Sequence, residues 1–91
     1  MNQQFIHHET KKPMPVISMS DVESSQIKQA GYDPATKTLA LQFKHGKGAV
    51  YHYPGVTQDQ YDAFKKAESA GTHFGKHFKT LPFDKYVPHT A

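Results

Sequence analysis

The sequence predicts an α+β fold, a three-stranded antiparallel β-meander followed by one long and one short helix packed on one face. Three observations carry that prediction. Leu39, Leu41 and Phe43 alternate with Thr38, Ala40, Gln42 and Lys44, the period-two pattern of a strand with one buried face. The glycines of His45-Gly46-Lys47-Gly48 supply a hairpin loop before a second alternating run, Ala49 to Tyr53. Thr57-Gln58-Asp59-Gln60 then reads as a capping box, the start signal of a helix.

The remaining elements follow in order. Residues 1–20 mix Gln, His and Lys with Pro13 and Pro15 and show little periodicity, so they read as a mobile N-terminal tail. Pairing of Val16-Ile17 with a sheet edge is the alternative. A first strand is expected over Gln26–Tyr32. Asp33-Pro34 turns the chain, because Asp accepts from the backbone ahead and Pro presets φ. Strands are expected over 38–43 and 49–53 and a helix near 58–70, with Asp59 at the positive end of its dipole. Gly71 is placed just past that helix, where a left-handed residue fits. Thr72 caps a shorter helix that puts Phe74 and Phe78 on one face. Pro82 stops it, and Pro88 predicts an irregular C-terminus. The expected core is Leu39, Leu41, Phe43, Tyr51, Tyr61, Phe64, Phe74 and Phe78.

At 91 residues the chain has room for one domain with a thin core. It has no cysteine, so it offers neither a disulfide framework nor a thiolate metal site. No apolar run approaches the ~18 residues that span a bilayer. The polar N-terminus lacks the order of a signal peptide, and a cytoplasmic protein without membrane association is expected. The net charge is +3, and its distribution is uneven. No acid lies between Asp33 and Asp59 or between Glu68 and Asp84, whereas Lys37, Lys44, Lys47, Lys76 and Lys79 fall in those stretches. Such segregation builds a surface that attracts phosphate. Every fixed positive side chain is lysine. Without arginine, bidentate reading of guanine edges in duplex DNA is disfavoured.

Several pieces, in this order, resemble the KTSC domain. They are Ser24-Ser25-Gln26-Ile27, Gly31-Tyr32-Asp33-Pro34, Leu39-x-Leu41-x-Phe43, Gly48-x-x-Tyr51-x-Tyr53, Gly55-Val56, Tyr61, Ala67-Glu68-Ser69-x-Gly71 and Phe74. The resemblance runs from about Ser24 to Val87, within a KTSC-like domain expected at 21–88. That module is named for its occurrence at the C-terminus of some lysyl-tRNA synthetases and also stands alone in bacteria. Its mark is a Tyr-x-Tyr motif, here Tyr51 and Tyr53. The resemblance implies RNA binding through the synthetase connection and brings no catalytic or ligand residues. Ala30 stands where a larger aliphatic is commoner, and the N-terminal tail is unmatched.

The chemistry available is that of binding. Tyr51 shares a face with Leu41 and Phe43 and reads as core. Tyr53, nearer the strand end, is either core or a platform for an unpaired base. His52 points to the other face. His73 and His77 have metal-compatible i,i+4 spacing. With no Cys and no nearby carboxylate, they read instead as surface histidines in a basic patch beside Lys76 and Lys79. No metal site and no cofactor are expected. No nucleophile, phosphate-loop or metalloprotease motif is present, and no enzyme is expected. The reading is therefore a small noncatalytic module that binds single-stranded or structured RNA through lysine-rich surfaces. Its candidate residues are Lys44, Lys47, His52, Tyr53, Lys76 and Lys79. The alternative is a protein-protein interaction adaptor, of phage or mobile-element origin, that uses the sheet face or edge.

Overall fold

The structure is a computed structural model that describes residues 4–45 and 47–89. In chain order the elements are β1 (Gln4–His7), β2 (Ser20–Asp21), β3 (Ile27–Asp33), β4 (Thr38–Phe43), β5 (Val50–Pro54), α1 (Gln58–Lys66), α2 (Ala70–His77) and β6 (Asp84–His89). Among the described residues the strands form one antiparallel six-stranded sheet, ordered β1-β6-β5-β4-β3-β2.

The α+β class and the β3-β4-β5 meander match the sequence expectation, but the sheet has six strands rather than three. Of the additional strands, β1 lies in the segment expected as a tail and β2 straddles its end. Phe5 pairs with Pro88 and His7 with Tyr86, while Ser20 pairs with Ala30 and Asp21 with Gln29. The third is β6, expected to be irregular because of Pro88. The β6 register explains why proline is tolerated there. The Lys85 carbonyl accepts from the His8 N–H on the β1 side (3.0 Å). Alternate residues Tyr86 and Pro88 therefore aim their backbone at β5, and the β5 ladder ends at the Val50–Tyr86 pair. Pro88 lies beyond it and withholds no donor.

The first capping box forms as the sequence indicates. Thr57 Oγ1 accepts from the Gln60 N–H (3.2 Å), and Gln60 Oε1 accepts from the Thr57 N–H (2.8 Å). The helix ends at Lys66, short of 70, and Ser69 rather than Thr72 caps α2. Ser69 Oγ accepts from the Thr72 N–H at 3.2 Å. Gly71 is consequently inside α2 and not a helix terminator. It is buried against Gln26, whose Oε1 would lie 2.9 Å from an added Cβ. Of the four-residue β4–β5 loop motif, Gly46 lies outside the described residues, and Gly48 adopts a φ of 81°.

The helices cover the front of β3, β4 and the Tyr53 end of β5. Leu39, Leu41, Phe64 and Phe78 are fully buried there, as expected. Phe43, Tyr51, Tyr61 and Phe74 pack against them but stay partly exposed. Ile27, Ala30, Tyr53 and Val56 complete this core. The Tyr32 hydroxyl closes its edge by donating to the Val56 carbonyl at 2.6 Å.

The back face is also closed. Ala40, Val50, His52 and Tyr86 point away from the helices, yet each is buried. The N-terminal segment explains this. After β1 the chain doubles back, so that His7 donates to Lys12 and Met14 to Phe5. It then reaches β2 by Ser20. A flat six-stranded sheet would hold its outer strands roughly 24 Å apart, at about 4.8 Å per step. The six residues from Met14 to Ser20 span at most about 20 Å. The sheet must therefore curl around its back, and residues 15–19 run across it. The contact is tight at β3, where a Cβ on Gly31 would stand 2.0 Å from the Ser18 carbonyl oxygen.

That contact yields a test. Gly31→Ala should lift residues 15–19 from the sheet and cost about 1–3 kcal/mol, as overpacking does. Urea denaturation should show the loss, and hydrogen exchange should show faster exchange at Ser20 and Asp21. Unchanged stability with unchanged exchange would refute the crossing.

Candidate functional site

With the back closed and helices over β3, β4 and the Tyr53 end of β5, the front of β6 and of the Tyr51 end of β5 remains open. Beside the β4–β5 hairpin it forms a groove of about 600 Å³. Ala49, Val87 and Pro88 give it an apolar floor, and Tyr51, Lys47, Lys85 and His45 rise around it. Among the described residues that line it, none is acidic. Register places the central pair: Tyr51 on β5 stands opposite Lys85 on β6, so both face the front. The Lys85 ammonium lies 5.9 Å from the Tyr51 ring centroid, a loose cation–π contact.

Besides Lys85, two aromatic rings hold Tyr51, which stays partly exposed. Phe43 meets it edge-on at 5.4 Å, and Phe83 tilts against it at 5.3 Å. Phe83 is itself 48% exposed. Phe74 continues the cluster inward to Tyr53. Here the structure refines the sequence reading in a specific way. Tyr51, read as core, packs against the core but stays partly exposed at the groove. Tyr53, left open between core and platform, is only 3% exposed. Packing explains the difference, because Tyr53 is covered by Phe74 of α2 and by Phe83, whereas Tyr51 stands opposite Lys85 on β6, which no helix covers. Burial, and secondarily the neighbouring Tyr51, pushes the Tyr53 phenol up to about 12.

The six candidates from the sequence do not converge. Lys47 lines the groove, and Lys44 is exposed in the same hairpin. Lys76 and Lys79 are exposed in α2 and just beyond it and line no part of the groove. His52 and Tyr53 are buried and offer no face to a ligand. His52 was correctly placed on the opposite face, but the N-terminal crossing and the curl of the sheet enclose that face. Sequence reasoning missed Lys85, whose strand was read as irregular, and the exposed Phe83, and it assigned the partly exposed Tyr51 wholly to the core. The signal for Lys85 was the alternation of Lys85 and Val87 with Tyr86, masked by Pro88.

Two other recesses differ in character. A groove of about 480 Å³ between α1 and the chain around β2 carries Asp21, Glu23 and Glu68 against a single Lys65. It repels anions. A recess of about 150 Å³ lies against α2 at His73 and His77. Burial lowers the His73 pKa from its usual value, and the neighbouring His77 lowers it further.

Comparison with known proteins places this architecture. The KTSC domain model matches residues 23–83. A protein of Tsukamurella paurometabola is 49% identical over 53 residues, covering 58% of this chain and 76% of that protein. An uncharacterised protein of Stutzerimonas stutzeri is 36% identical over 58 residues, covering 64% and 79%. The crystal structure of a KTSC domain protein from Yersinia pestis superposes with a TM-score of 0.66 at 30% identity, over 84% of this chain and 99% of that one.

The middle of the Tyr-x-Tyr motif makes the fold acid-sensitive. Burial lowers the His52 pKa below its usual 6.5, and the Asp84 carboxylate offsets only part of that. The unfolded chain then binds the proton more readily than the native one, so stability falls as pH drops below about 6.5. His52→Phe should flatten this slope, leaving a smaller residue from His73, whose shift has the same sign. Urea midpoints at pH 7.5 and 5.5 measure it. A slope unchanged in the variant would exclude His52 as its source. At pH 7.5, Tyr53→Ala should cost about 3–5 kcal/mol as a buried large aromatic, and Tyr51→Ala distinctly less. A reversed order would place the open ring at Tyr53.

Proposed function

The chain belongs to the KTSC domain family, and on that premise we propose that it is a noncatalytic module that binds single-stranded RNA in the β5–β6 groove. The observation that carries this reading is a partly exposed tyrosine that shares with Lys85 and the hairpin Lys47 a groove whose described lining contains no acid. An unpaired base stacks on an aromatic ring with about 1–3 kcal/mol, whatever its identity. Lysines on either side hold the phosphates that flank it. As point charges they favour the backbone without reading base edges.

The alternative, a protein adaptor, has less support from the sheet edges. The outer side of β1 is engaged by Lys12 and Met14, and β2 is only two residues long. An added strand would find little edge to pair with.

Fluorescence anisotropy with a labelled oligouridine RNA tests the proposal. Binding should be weak, in roughly the 10⁻⁴–10⁻⁶ M range that nonspecific electrostatic contacts give, and should fade with salt. Lys47→Gln with Lys85→Gln should lower the salt slope by about 1.4, given ~0.7 per phosphate contact on a single strand. Tyr51→Ala, at a pH where it remains folded, should weaken binding by about 1–3 kcal/mol. Tyr51→Phe should bind like the native chain, and Lys76→Gln with Lys79→Gln should have little effect. Absence of RNA binding at low salt overturns the proposal in favour of a protein partner.

A further inference from the structure

We propose that His73 and His77 form a two-imidazole site on α2 for a borderline divalent cation of the Cu²⁺/Zn²⁺ class. Spacing alone gave only a shared helix face. The structure adds the distance and the support. The two ring centroids are 4.3 Å apart, with planes inclined at 37°. A cation held about 2.0–2.1 Å from one nitrogen of each ring sits roughly 3.2 Å from each centroid, and cis ligand angles of about 90–110° then separate the centroids by roughly 4.5–5.2 Å. The observed centroid spacing is within a few tenths of an ångström of the lower end, so the helix already holds the two rings at the separation that chelation needs.

The surroundings hold His73 in place. Phe64 meets its ring at 6.0 Å and Phe78 at 5.7 Å, which fixes its position while His77 stays exposed beside it. The adjoining recess, bounded by Gln60, Ala63 and Phe78, leaves room for the cation and its waters. Gln60 does not complete the ligand set, because its Oε1 is already committed to the Thr57 N–H. No group of three or more His, Cys, Asp or Glu forms a metal cage among the described residues. Two protein nitrogens with open positions suit Cu²⁺ best, which by the Irving–Williams order should bind more tightly than Ni²⁺ or Zn²⁺.

The other close histidine pair makes a useful contrast. His7 and His8 stack at 5.0 Å, but both His7 nitrogens are occupied. Its Nδ1 accepts from the Glu9 and Thr10 N–H groups, and its Nε2 contacts Asp84 at 3.2 Å. A cation there would first have to break β1 contacts.

The test is calorimetric titration of the full, untagged chain with Cu²⁺ and then Zn²⁺ in a non-coordinating buffer. Paramagnetic broadening of backbone amides by Cu²⁺ runs beside it. One cation should bind, with broadening centred on residues 70–80. His77→Ala, a change at an exposed position, should weaken binding roughly 10²-fold, as expected when the second intramolecular ligand is lost. His8→Ala should leave it unchanged. Broadening centred on residues 5–10, equal affinity in His77→Ala, or no binding by the native chain would overturn the site.

Discussion

The Ser18 backbone passes so close to Gly31 that no side chain fits between them. Much of the molecule depends on that approach. It lets residues 15–19 lie across the curled back of the sheet, and the curl encloses Ala40, Val50 and His52. Strands β4 and β5 are thereby buried on both faces, the condition under which a small antiparallel sheet gains most from each strand. A chain of this size buries only roughly 60–65% of its unfolded surface. Using the N-terminal segment as a second layer raises that share without adding a helix.

The same closure decides where a ligand can go. Helices cover the front of β3, β4 and the Tyr53 end of β5, and the N-terminal crossing takes the back. Among the described residues, the sheet itself is then left open at the flanks of its front face, one beside β2 and one over β6 and the Tyr51 end of β5. Their charges then separate them. The β2 flank gathers Asp21, Glu23 and Glu68, while the β6 flank presents Lys47, Lys85 and His45. Tyr51 belongs to the second because it stands opposite Lys85 in the ladder. Tyr53, two residues on, is covered by Phe74 of α2 and by Phe83 and serves the core. One alternating strand thus divides the Tyr-x-Tyr motif between packing and exposure.

Much of this was legible in the sequence, and the limits have physical causes. The meander was readable because Leu39, Leu41 and Phe43 obey period two and one of their faces is apolar throughout. The first helix was readable because its cap is local chemistry, Thr57 and Gln60 acting over three residues. The outer strands were not. Gln4–His7 and Asp84–His89 pair with each other across almost the whole chain, and neither carries a local signal strong enough to outweigh Pro13, Pro15 and Pro88. The second helix start was misplaced by three residues because Ser69 and Thr72 are both competent caps, and only burial of Ala70 and Gly71 chooses between them.

The site was half legible for the same reason. Counting lysines between acids found Lys47, since the hairpin position is fixed by local glycines. It also gathered Lys76 and Lys79, which tertiary structure places on a helix away from the groove. Lys85 follows Asp84 and so lies just outside the second acid-free stretch. In a strand, however, adjacent residues point to opposite faces. Asp84 turns to the back, where its carboxylate contacts His7, and Lys85 turns to the groove. Sequence proximity therefore overstates charge cancellation wherever the chain is extended. A charge reading taken along each face of a strand, rather than along the chain, separates the two and puts Lys85 beside Tyr51.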